Sequence, residues 1–93
     1  MYHSEQAELL AIQALGYIAG SHEELEKLMV TTGMDKAALM ESAQLRDGLA
    51  GILDYVCQDD SILLGFCESA GVLPEEPMKA LQALQKMPDI GAA

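Results

Sequence analysis

Two thiols, Cys57 and Cys67, are the first candidates for chemistry in this 93-residue chain. A catalytic or metal-binding cysteine works as the thiolate, which a nearby cation or a helix N-terminus must stabilise. Both cysteines instead fall in apolar slots toward the C-terminal halves of predicted helices, where cysteine serves as a small buried hydrophobe. They form no C-x-x-C, and no second pair completes a zinc set. The Asp59-Asp60 corner between them predicts an antiparallel hairpin with the thiols offset by about four residues, or ~6 Å, on axes ~8–10 Å apart. A disulfide needs Cα atoms within about 7 Å, so both thiols are expected to be free. The histidines offer no more. His3 is terminal, and His22 sits beside Glu23 and Glu24 without a partner at ligand spacing. No nucleophile–base pair, glycine-rich phosphate loop or pair of catalytic carboxylates can be singled out. No catalytic, cofactor-binding or metal-binding residue is expected, and no enzyme.

The elements that hold these residues use one grammar twice. Leu53 to Gly71 reads as the end of a helix, the Asp59-Asp60 corner, and a second helix stopped by Gly71. Leu15 to Gly33, thirty-eight residues earlier, reads the same way. In that register Leu15 matches Leu53, Tyr17 matches Tyr55, Leu25 matches Leu63 and Gly33 matches Gly71. Ile18 with Val56, Ser21 with Asp59, Leu28 with Phe66 and Thr31 with Ser69 are softer matches. The pattern reads as a degenerate internal repeat with halves at about 4–43 and 47–87, and a frayed tail over 88–93.

In chain order, a first helix is predicted from a Ser4 cap to Ala19. Its Leu9–Ala19 run is apolar almost all round, the mark of a buried central helix, with Gln13 at the rim. Ser21 and Glu24 form a capping box for a second helix whose inward face is Leu25, Leu28, Met29 and Thr32, with Glu23 spaced to pair with Lys27. Gly33 ends it as a left-handed cap. Asp35 caps a short third helix, about 36–43, with Ala38, Leu39 and Ala43 inward and Met40 at the flank. Asp47 is read as the cap of a fourth, which buries Leu49, Ile52, Leu53, Val56 and Cys57. Its Asp47, Gly51, Asp54 and Gln58 line the opposite, wet face. A fifth helix buries Ile62, Leu63, Phe66, Cys67 and Ala70, and Gly71 ends it. Pro74 and Pro77 fit the first turn of a sixth, with Met78, Leu81 and Leu84 inward and Pro88 as its stop. The fold class expected is all-α, a single domain of five or six short helices.

Charge narrows the partners. Fifteen acidic residues against five basic ones give a formal charge of −10. The cations are scattered singly, so nucleic acid and anionic membrane surfaces are poor partners. The N-terminus has no basic leader, and Leu9 to Ala19 is too short to span a bilayer, so a cytoplasmic location is the expectation.

Four stretches carry a family resemblance: Ala14-Leu15-Gly16-Tyr17-Ile18-Ala19, Leu28 to Asp35 with its Thr32-Gly33, Leu53 to Asp60, and Phe66-Cys67-Glu68-Ser69-Ala70-Gly71 followed by Pro74. Together, over about Glu8 to Pro88, they resemble the domain-of-unknown-function family 3572, small helical bacterial proteins. The resemblance implies a compact all-helical domain and carries no activity and no functional residues. The Asp59-Asp60-Ser61-Ile62 corner is superficially similar to acyl carrier proteins, whose serine bears a phosphopantetheine arm. Those proteins place a long loop before that serine, whereas here a helix runs directly into the corner. The leading functional expectation is a small acidic interaction module without catalysis that binds itself or a basic protein. The alternative is a carrier or small-ligand-binding protein with its arm on Ser61. Met40, Ile62 and Met78 are the apolar positions expected to stay uncovered.

Overall fold

The computed structural model describes residues 4–85. They form six helices and no strand: α1 Ser4–Ala19, α2 His22–Thr32, α3 Lys36–Ser42, α4 Arg46–Gln58, α5 Asp60–Ala70 and α6 Glu75–Gln85. The Ser4 hydroxyl cap, the Pro88 stop and the 88–93 tail lie outside the described residues and side chains. Helices α1 and α4 pack on each other, and α6 lies across both. Against this frame α2 packs on α1, α5 packs on α4 and on α1, and α3 packs on α4.

The core is drawn from all six helices. Ala7, Leu10, Ala11, Ala14, Leu15 and Ile18 line the inner side of α1, facing Leu49, Ile52, Leu53 and Val56 of α4. Leu28, Phe66, Leu39 and the Pro77, Ala80, Leu81, Leu84 edge of α6 close it. With one phenylalanine and no tryptophan in the chain, this core is aliphatic, and its stability comes from many small burials of about 0.8 kcal/mol per CH₂.

Helix ends are set where the residue types require. Gly33 and Gly71 both stand at φ 73°, and each donates its N–H back four residues, to the carbonyls of Met29 and Cys67. Asp35 Oδ1 accepts from the Ala38 N–H at 2.8 Å. Glu76 closes the start of the sixth helix with both side chain and main chain: the Leu73 N–H donates to Glu76 Oε2 at 2.9 Å while the Glu76 N–H donates to the Leu73 carbonyl at 3.0 Å.

Several local expectations change. Asp47 does not cap α4. Leu45 is its N-cap without a side-chain bond, because the Leu45 N–H closes a turn onto the Ser42 carbonyl and starts the helix early. Asp47 then sits in the first turn, where the helix dipole favours an acid. The capping box is half made: Ser21 Oγ accepts from the Glu24 N–H at 3.4 Å, but the Ser21 N–H is already committed to the Ile18 carbonyl. Lys27 lies 4.0 Å from Glu24 in place of Glu23. Thr32 turns outward, where its hydroxyl donates to the Leu28 carbonyl at 2.8 Å. Ala70 is exposed, at an open cleft that Gly16 also lines. In α6 Pro77 takes the inward slot, which rotates Met78 outward.

Candidate functional site

The chemistry-bearing residues come first. Cys67 is buried, with its Sγ 3.6 Å from the Leu73 carbonyl, and Cys57 is half-buried; both are free thiols. Burial pushes both above the ordinary thiol value, helped by Asp54 and the neighbouring thiol at Cys57 and by Glu76 at Cys67. A thiolate is therefore disfavoured at either position. His22 is exposed, 3.5 Å from Glu26; His3 lies outside the described residues. Among the described residues no group of three or more His, Cys, Asp or Glu is arranged to hold a metal ion.

The corner residues act on the backbone. Asp59 is the single residue between α4 and α5, and its Oδ1 accepts from the Ser61 and Ile62 N–H groups at 3.0 and 3.3 Å. Ser61 is exposed in the first turn of α5. Tyr17 crosses from α1 to α5, where its ring meets Phe66 at a 6.0 Å centroid distance and occupies the space a Cβ at Gly65 would need. Tyr55 of α4 stands near Glu24 and Thr31 of α2, in the other hairpin. Burial, with Glu24 beside it, pushes the Tyr55 hydroxyl above the phenol's ordinary value.

The less conventional feature is the outer side of α1. Glu5, Leu9, Ile12, Gly16 and Ala19 recur at helical spacing on one face, and all five are exposed, Leu9 by 61% and Ile12 by 48%. Beside them runs an open groove of about 550 Å³ between α1, the Val72-Leu73 connector and the start of α6. Leu9 and Leu73 form its lips, and Leu73 is 60% exposed. Gln6, Gln13, Glu75 and Lys79 stand on its edges, with Lys79 held 3.5 Å from Glu75.

Helix α4 provides an internal control for this surface. At the thirty-eight-residue offset Leu9 corresponds to Asp47 and Gly16 to Asp54. Both helices bury the same side, yet the outer face of α4 is Asp47, Gly51, Asp54 and Gln58, as expected, with Gln58 donating to Asp54 at 2.9 Å. A wet, polar outer face thus satisfies this architecture, and the packing of α1 does not require a leucine at position 9.

These positions differ from the ones that sequence patterning pointed to. Met40 and Met78 are exposed, by 53% and 45%, but Ile62 is 3% exposed in the first turn of α5. Leu9 and Ile12 escape notice because an all-round apolar run reads as a buried helix, and Leu73 because it lies in the connector before α6. Setting α1 against α4 at the repeat offset carries a signal for Leu9, which falls opposite Asp47.

The fold and its surface define a small all-α domain built on two crossed helical hairpins. The chain belongs to a family described as protein of unknown function (DUF3572), whose model matches residues 4–87. No curated protein and no solved structure matches it. No helix among the described residues is long and apolar enough to cross a membrane.

Proposed function

We propose that this domain is an acidic protein-interaction module without catalysis, working in the cytoplasm, and that its binding face is the outer side of α1. The supporting observation is the contrast between two equivalent helices: exposed Leu9 stands where α4 carries Asp47, and exposed Ile12 stands where α4 carries the small, half-buried Ala50. Leucine and isoleucine held in water cost each side chain about 1.5–3 kcal/mol of unrealised burial, which a partner would recover. The same correspondence, with α2 and α5 equal in length and thirty-eight residues apart, supports reading the two halves as a repeat.

Site-specific photocrosslinking tests the module reading. A photoreactive residue at position 12 should give adducts heavier than the monomer in the host cell, and one at position 54 should not. Equal adducts, or none, from both positions would count against it. A prosthetic-group mass on Ser61 of the host-derived protein would favour the carrier reading instead.

A further inference from the structure

We propose that the occupant of the α1 face is a cationic amphipathic helix of a different protein, lying along Leu9, Ile12 and Gly16 with its apolar seam turned into the groove toward Leu73. The proposal rests on the interaction reading above and names the chemistry of its partner.

Three observations select this occupant. The first is shape. Leu9 to Gly16 spans about 10 Å of helix axis, or two turns, which is the footprint of one short helix. A Cβ added at Gly16 would meet nothing within 4 Å, so the glycine is not required by the packing of this chain. Glycine inside a helix costs roughly 1 kcal/mol against alanine, and here it leaves the α1 backbone open to close approach.

Area is the second. Leu9, Ile12 and Leu73 together offer a few hundred Å² of apolar surface, whereas each member of a stable symmetric pair buries roughly 800 Å². Apolar burial alone is too small here to hold two copies together. The remaining free energy has to come from another source.

Charge supplies it, and charge excludes the second copy. The chain carries a formal charge of −10. Lys27, Arg46 and Lys79 each lie within 4.0 Å of a carboxylate of their own chain. A second copy would bring ten more excess negative charges to the face and few cations to meet them. A helix flanked by lysine and arginine would meet Glu5 at one end of the stripe, and the field of the whole domain would draw it in.

The test is peptide binding to the full chain by fluorescence anisotropy. Three synthetic peptides of about 18 residues are compared: a leucine seam with lysine flanks, the same seam with glutamate flanks, and a scramble of the lysine peptide. The lysine peptide should bind at least tenfold more tightly than either control, and should weaken severalfold between about 50 and about 300 mM salt. Leu9→Gln with Ile12→Gln should cost at least tenfold in affinity with helicity and melting little changed, because Leu9 is 61% and Ile12 48% exposed before any partner binds. Val30→Gln, at an 83% exposed position on α2, should leave binding unaltered. Gly16→Gln should weaken binding while raising stability. Equal binding of the lysine peptide and its scramble, or an equal loss on Val30→Gln, would show bulk charge attraction and overturn the site. A dimer in sedimentation that the double variant dissolves would make the second copy the occupant, overturning the cationic partner while sustaining the interaction reading. No peptide binding by a strict monomer, with no crosslink from position 12, would remove both.

Discussion

Helices α2 and α5 share their central buried slot and diverge in their first turns, where α5 buries Ile62 and α2 carries Glu24, and in how they are closed. Both are eleven residues long, both end on a glycine at φ 73°, and Leu28 and Phe66 occupy the same buried slot. At their N-termini Ser21 accepts one bond at 3.4 Å, while Asp59 accepts two, at 3.0 and 3.3 Å. The third helices part further. Seven-residue α3 packs on α4, whereas eleven-residue α6 lies across both α1 and α4. What the two halves share is what the core demands, and where they differ the core is indifferent or another element has taken over. The outer faces of α1 and α4 are the sharpest instance, since one frame there tolerates acids and leucines alike.

Truncating the shared buried slot has the largest effect. Phe66→Ala should destabilise by about 3–5 kcal/mol and Leu28→Ala by about 2–5 kcal/mol in denaturant titration. A cost under ~1 kcal/mol at either would break the equivalence of the two hairpins.

The caps come next. Gly33→Ala and Gly71→Ala should each cost about 1 kcal/mol, because a Cβ is strained at positive φ. Their costs should agree closely, since nothing lies within 4 Å of either added Cβ. Asp59→Ala should cost ~1 kcal/mol and Ser21→Ala less, given the longer single bond at Ser21. A larger cost at Ser21 would reverse that ordering.

Alkaline pH separates the halves by chemistry. Both thiols lie in the second half, and both are raised in the folded state by burial. The unfolded chain then releases its thiol protons at lower pH than the folded chain, so the unfolded state gains as pH climbs through the ordinary thiol value. Thermal stability should fall above about pH 8.5. Replacing Cys57 and Cys67 by alanine should flatten that decline; an equal decline in the variant would assign it to Tyr55 or to net charge.

The exposed mid-helix glycines give the smallest effect. Gly16→Ala and Gly51→Ala should each stabilise by about 0.5–1 kcal/mol, since neither added Cβ meets an atom within 4 Å. Destabilisation at either would mean that the glycine serves the fold.

The sequence by itself determined the local events: five or six short helices, both left-handed glycine caps, the Asp35 cap, the Asp59-Asp60 corner, and the wet face of α4. Each depends on a few neighbouring residues, through period, side-chain reach and allowed φ, and needs no knowledge of the rest of the chain. Tertiary structure decided what lies outside that range. The Ser42 carbonyl turn displaced Asp47 from its capping role, and burial of Ile62 overturned its expected exposure. The packing of α6 across both α1 and α4 made Pro77 inward and Met78 outward. Above all, the 9–19 run of α1 is apolar almost all round, so its own pattern could not say which side the core would use. Only the placement of α4 and α6 against its inner face left Leu9 and Ile12 in water, because a helix buries a side only where another element arrives to cover it.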